Sequence, residues 1–269
     1  LVRAPAVAGR FYPGEPEVLE RLVAKLLVDP SAEDPQRAVA LLVPHAGWVY
    51  SGAVAGAVYA CAKIPDRVVL LGPNHTGIGP PLSLWDRGVW EYPGARVRVD
   101  EEFSSTLKSC CAALIPDPSA HRYEHCLEVQ IPFLMARAPN LRITPIVVGA
   151  THLDVLKTLA AGLADAIGKI SEEVLLVISS DMTHYEPADI AERKDRLAMA
   201  AMRAVDAEEL HRVVHHERIS MCGYAPAVAG LMAARELGAR VGRVVRYSHS
   251  GEVSGDSTSV VGYAGMVFS

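Results

Sequence analysis

The sequence predicts an α/β domain in which a mostly parallel or mixed central sheet is sandwiched between helices. Short runs rich in Val, Ile and Leu alternate along the chain with longer stretches whose apolar residues recur at helical intervals, the order that βαβ units produce. The runs VVLL (68–71) and VLLVI (174–178) are almost continuously apolar, as strands buried on both faces are. Three runs also end at a histidine: His45 in AVALLVPHAGW, His75 in VVLLGPNHTG and His184 in VLLVISSDMTHY.

Taken in order, EVLERLVAKLLV predicts a helix over 17–28, and the apolar run before Pro44 a strand over 39–43. SGAVAGAVYACA predicts a helix over 51–62, with Ser51 placed to open it. A strand follows over 67–72, then helices over 101–112 and 126–137 (CLEVQIPFLMAR). Strands over 143–148 and 174–179 flank a helix over 153–169, and another helix covers 188–205. PAVAGLMAAREL predicts a helix over 226–237, where Pro226 suits the first turn because its missing N–H costs nothing there. The β-rich stretches 240–247 and 259–268 close the chain. No internal repeat, low-complexity linker or shift in composition divides it, so residues 1–269 read as one domain.

Composition narrows the function. Half of the 269 residues are hydrophobic, yet no stretch is long and apolar enough to predict a membrane span. LVRAPAVAGRFYP lacks the basic stretch, apolar core and cleavage site of a secretory signal, which predicts a cytoplasmic protein. A formal net charge of −5, with acidic and basic residues interspersed, predicts no nucleic-acid partner. The five cysteines are odd in number and lack CxxC spacing, which speaks against a disulfide framework or a zinc ribbon.

Ligands of open α/β sheets bind where strands end, so His45, His75 and His184 are placed to converge on one site. Histidine is both the commonest metal ligand and the usual proton carrier near neutral pH. Gly47 in PHAGWVYSG and the glycines bracketing His75 in GPNHTG let main chain approach a ligand closely. In SSDMTHY, Asp181 and His184 are spaced so that the carboxylate can orient the imidazole. Cys222 in MCGYAP precedes a predicted helix, whose free N–H groups would favour the thiolate. Cys61, Cys110, Cys111 and Cys126 fall within apolar helical patterns and read as small hydrophobes. YEHCLEVQIPFL brings Glu124, His125 and Glu128 to a loop entering a helix, as supporting partners of a metal site, acid/base groups or helix-start charges. His121, His152, His211, His215, His216 and His249 sit in polar contexts that predict solvated surface, although His249 adjoins the glycine-rich HSGEVSGDSTS loop.

AVAGRFYP, PHAGWVYSG, GPNHTG, EHCLEVQIPFL, SSDMTHY and CGYAP, in this order and over essentially the whole chain, resemble the Memo family. That family is named for a mediator of cell motility in animals, and its bacterial and archaeal members are labelled AmmeMemoRadiSam system protein B. It is similar in turn to the class III extradiol (LigB-type) dioxygenases, which implies a LigB-like α/β domain with a non-haem metal pocket. The resemblance implies His45, His75 and Cys222 as metal ligands, and Asp181 and His184 as catalytic residues, His184 matching the dioxygenases' acid/base histidine. Glu124, His125, Glu128 and Tyr185 would surround them. Ring-cleaving enzymes use a carboxylate as the third ligand, and a thiolate in that place shifts preference toward copper or zinc.

The expected function is therefore that of a redox enzyme with Fe(II), or copper, acting on a small molecule with dioxygen; zinc is a further candidate for the bound metal and would assist a hydrolysis instead. Two alternatives stand beside it: a hydrolase with Cys222 as nucleophile, and an adaptor whose pocket receives a peptide. The resemblance further implies radical-SAM and AMMECR-like protein partners.

Overall fold

Alternate side chains of the central strands face opposite sides of the sheet, and both sides are buried. Ala40, Leu42, Val69, Leu71, Leu176 and Ile178 join one apolar cluster, while Leu41, Val43, Val68, Leu70, Leu175 and Val177 join the other. Two-sided burial is what continuous apolar strands require. The computed structural model describes residues 1–28 and 34–269. Its strands are β1 (Val2–Arg3), β2 (Ala40–Val43), β3 (Arg67–Pro73), β4 (Leu82–Leu84), β5 (Val89–Tyr92), β6 (Ala95–Val99), β7 (Ile115–Pro116), β8 (Arg142–Val148), β9 (Val174–Ser179), β10 (His184–Glu186), β11 (Gly242–His249) and β12 (Val260–Phe268). Its α-helices are α1 (Pro16–Leu26), α2 (Trp48–Cys61), α3 (Glu101–Cys110), α4 (Ile131–Arg137), α5 (Leu153–Gly168), α6 (Ala188–Arg203), α7 (Ala207–His216), α8 (Tyr224–Glu236) and the short α9 (Gly251–Ser254).

The centre of the sheet runs β8-β3-β9-β2, all parallel. Beyond β2 lies antiparallel β12, which also pairs with β10 and β11. On the other side β6 runs parallel to β8, and β5 and β1 follow. Helices α1, α2 and α4 supply residues to one apolar cluster, and α3, α5, α6, α7 and α8 to the other. The chain is thus a single α/β domain with a mixed, mostly parallel central sheet between helices. Register pairs Val43 with Ser179 and Leu71 with Ile178, so the segments leaving β2, β3 and β9 emerge side by side at one edge.

Each predicted strand is present. The differences lie at element ends and in short elements. Helix α2 begins at Trp48 rather than Ser51, and the Ser51 hydroxyl donates back to the Ala46 carbonyl at 2.8 Å. The helix expected over 126–137 is a 3-10 turn, Glu128–Gln130, followed by α4, with Pro132 in the first turn where proline is tolerated. The helix expected over 188–205 stops at Arg203, and α7 follows with the Asp206 carboxylate accepting from the Glu209 amide at 2.9 Å. Among the described residues no helix is long and apolar enough to cross a membrane.

Glu128, expected beside the metal pocket, is instead the anchor of the N-terminal segment. Its carboxylate accepts from Arg3 (2.8 Å), the amides of Ala6 (2.7 Å) and Val7 (3.0 Å) and the Tyr12 hydroxyl (2.8 Å). No oxygen is left to serve a metal or its ligands. Arg3 is itself buried, donating also to the carbonyls of His121 and Glu124 and lying 4.2 Å over the Trp90 ring. A buried ion pair whose remaining groups are all hydrogen-bonded keeps its Coulombic gain, whereas losing one partner leaves an uncompensated charge.

Two histidines expected on solvated surface are elsewhere. His249 is half-buried, 3.8 Å from Glu192. His121 is fully buried, its ring edge-on to Trp85 (6.1 Å) and Trp90 (5.9 Å). Burial, with Arg3 adding repulsion, drives its pKa from the ordinary 6.5 down to about 3. The native state therefore excludes a proton that the unfolded chain accepts. Its stability is full above about pH 6.5 and declines as pH falls toward 3. In His121→Phe the slope of unfolding free energy between pH 6 and 4, read from urea midpoints, should be shallower by about 1.4 kcal/mol per pH unit; an unchanged slope contradicts a neutral buried His121.

Candidate metal centre

His45 leaves β2 into the crevice and is almost fully buried. Its Nδ1 lies 3.0 Å from the Ser179 hydroxyl, whose single proton is already donated to the Cys126 carbonyl at 2.6 Å. The contact must therefore run from the imidazole N–H to the serine oxygen, which leaves Nε2 without a proton. Burial, with repulsion from His75 second, lowers the His45 pKa to about 3, so the ring stays neutral. Its bare Nε2 faces Cys222 Sγ at 3.2 Å and can only accept from the thiol.

His75 follows β3, and buried Glu124 fixes it twice, accepting from its backbone N–H (2.7 Å) and from Nδ1 (2.8 Å). The Glu124 carboxylate also takes the amides of His125 (2.9 Å) and Cys126 (3.0 Å). Burial alone would raise its pKa, but these bonds, led by that from His75, bring it down to about 2. Burial works in the opposite sense on His75, and Glu124 outweighs it, so the imidazole is more basic than usual. A permanently ionised carboxylate accepts only, which leaves Nε2 of neutral His75 as its free donor atom.

His125 comes forward with Glu124. Its ring stacks on His75 at 4.6 Å and stands edge-on to His45 at 5.4 Å, with Phe11 from the N-terminal segment 4.8 Å away. Burial first, then repulsion from His45, lowers its pKa to about 4. His45, His75 and His125 each offer a ligand atom, and these atoms lie within 4.8 Å of one another. Two glycines make the convergence sterically feasible. A Cβ on Gly72 would stand 2.5 Å from Cys126 Sγ, so glycine lets the EHCLE segment lie against β3. A Cβ on Gly223 would stand 2.6 Å from the Ser179 carbonyl oxygen, so glycine presses the turn carrying Cys222 onto the end of β9.

The other expected residues divide. Asp181 does not hold the His184 ring: its Oδ1 accepts from the amides of His45 (2.7 Å) and Ala46 (3.2 Å), fixing the loop after β2. The spacing signal pointed to a carboxylate, but backbone supplies the partner. His184 Nδ1 is 2.9 Å from the Ser220 carbonyl and its amide donates to the Ser220 hydroxyl at 2.7 Å. Cys222 is not an activated thiol, because burial, reinforced by the charge of Asp181, pushes its pKa well up. The helix start behind it does not compensate. Tyr185 is strongly exposed, at φ +60°, next to His184. Ser179, Ser220 and Phe11 escaped the sequence reading; Ser179 lies in the SSDMTHY motif itself, whereas nothing local marks Ser220. Cys61, Cys111 and Cys126 are buried as expected, while half-buried Cys110 receives the Lys169 ammonium at 3.2 Å.

Replacing Glu124 by Gln keeps the shape but removes the charge that makes His75 a strong donor. Metal affinity, measured by competition with a chromophoric chelator, should fall by about 10- to 100-fold; unchanged affinity would remove Glu124 from the site.

The Memo-like protein family profile matches residues 3–267. A "MEMO1 family protein" of Aquifex aeolicus is 45% identical over 268 residues, covering 99% of both chains. One from Methanopyrus kandleri is 35% identical over 278 residues, covering 99% of this chain and 98% of its own. Among solved structures, an uncharacterized protein from Escherichia coli K12, JW3007, is similar with a TM-score of 0.56 at 13% identity, over 84% of this chain and 98% of that one, a likeness of fold alone. With the profile and these full-length relatives in agreement, the chain belongs to the Memo-like protein family.

Proposed function

We propose that the protein is a metal-dependent redox enzyme that acts on a small molecule with dioxygen. Iron(II) is the favoured ion and copper the other redox-active candidate; zinc, which has no redox chemistry, would suit only the hydrolytic alternative. The observation that carries this reading is the pair of buried or half-buried imidazoles, His45 and His75, each held through Nδ1 so that Nε2 carries no proton and can ligate an ion, that of His45 in place of its contact with the Cys222 thiol. A ring N–H donated to a hydroxyl or carboxylate is the support that metal-bound histidines have. The donor set fits a transition metal: His45, His75 and His125 are mutually within reach, and Cys222 stands against His45. Cys222 is the third ligand that the family resemblance implies. Its thiol would lose its proton on coordination, since a bound cation reverses the effect of burial. A metal with open positions supplies Lewis acidity and one-electron chemistry to substrate and dioxygen.

The chain's own residues do the rest. Donation from His184 Nδ1 to the Ser220 carbonyl leaves Nε2 as a proton acceptor, on a half-buried ring near enough to His45 to act on it electrostatically. Asp181 holds the His45 loop by accepting from the amides of His45 and Ala46. The thiol-hydrolase alternative needs a ready thiolate, and the raised pKa of Cys222 works against it.

Oxygen uptake by anaerobically Fe(II)-loaded protein, mixed with air-saturated buffer and a panel of catechols and other oxidisable phenols, tests this reading. At least one substrate should drive uptake, and His184→Gln should keep its metal while slowing turnover by about 10²- to 10⁴-fold. Uptake that is absent with Fe(II) and again after copper loading, or indifferent to His184→Gln, contradicts it.

A further inference from the structure

The surface of α7 carries a second pair of histidines that the pocket does not use. His211 and His215 are one helical turn apart, and their rings lie 4.3 Å from centroid to centroid at a 38° tilt. Residues at this spacing share a helix face, and two histidines so placed form the bidentate half of many zinc sites. The His215 Nδ1 is 2.7 Å from the His211 backbone carbonyl. A carbonyl accepts only, so Nδ1 carries the proton and Nε2 of neutral His215 holds the lone pair, the arrangement in which histidine ligates. Tyr224, in the first turn of α8, packs edge-on against His215 at 5.3 Å and lies 6.3 Å from His211. It backs the pair from one side and limits the rotamers open to His215. Glu208 shares the face by spacing, with its carboxylate engaged by Lys157 at 2.7 Å.

We propose that His211 and His215 form a second, exchangeable metal site for a borderline divalent cation such as Zn(II) or Cu(II). Two imidazoles supply the protein ligands and water completes the shell. The site stands beside the start of the helix that follows Cys222, on a face open to solvent. Two ligands with water make it weaker and faster to exchange than a site with three protein donors.

Calorimetric titration of the full chain with Zn(II) tests this, with the His211→Gln/His215→Gln double variant and His45→Ala alongside. Both surface histidines are replaceable without touching the core, and circular dichroism confirms the fold. The wild type should take up a weaker equivalent that the double variant loses and His45→Ala retains. A weaker equivalent that persists in the double variant overturns the proposal. If the wild type shows only the equivalent abolished by the double variant, the surface site stands without a Zn(II) site in the pocket, and the pocket reading is then decided separately by anaerobic Fe(II) addition to the same double variant.

Discussion

The hydroxyl of Ser179 ties together three segments on which the pocket depends. It donates to the Cys126 carbonyl, accepts from the Gln130 side chain at 3.0 Å, and accepts from His45 Nδ1. Those partners belong to the segment that also presents Glu124 and His125, and to the loop that leaves β2. One buried oxygen at the end of β9 thereby fixes the tautomer of His45 and the position of the residues that orient His75. Polar networks in a low-dielectric interior specify geometry when every member is satisfied, and Gln130 completes this one through bonds with the Pro44 carbonyl and the Tyr59 hydroxyl.

The sheet makes this economy feasible. Parallel β3, β9 and β2 deliver their carboxyl ends to one edge, and the residues just beyond them need only short loops to meet. The N-terminal segment then closes one flank: Arg3 and Glu128 lock it down, the Trp48 amide donates to the Phe11 carbonyl at 2.7 Å, and the Phe11 ring meets His125. Fold stability and pocket geometry are coupled through this strap, because Arg3 also bonds the carbonyl of Glu124.

Much of this was legible in the sequence. Periodicity located the central strands because burial on both faces leaves them almost free of polar residues, and strand ends pointed to His45 and His75, which the structure brings together with His125, whereas His184 opens the short β10 and is not part of that cluster. The failures have physical causes. Glu128 and Glu124 are four residues apart and look equivalent, but the first is claimed by the distant Arg3 and Tyr12, which no local pattern reveals. Asp181 stands near His184 in sequence, yet backbone amides of the neighbouring loop compete for it. His121 sits among polar neighbours in sequence while Trp85, Trp90 and Arg3 enclose it in space. Cys222 looked activated by its helix start, but burial beside Asp181 is the larger effect.

Element-resolved metal analysis of protein purified anaerobically without chelator, after gel filtration and beside His45→Ala, His75→Ala and Cys222→Ser, tests the account most directly. Iron or copper should stand near one equivalent in the wild type and be lost in all three variants. Wild-type protein that stays metal-free after anaerobic Fe(II) or Cu(I) addition, or metal retained in both histidine variants, would contradict it.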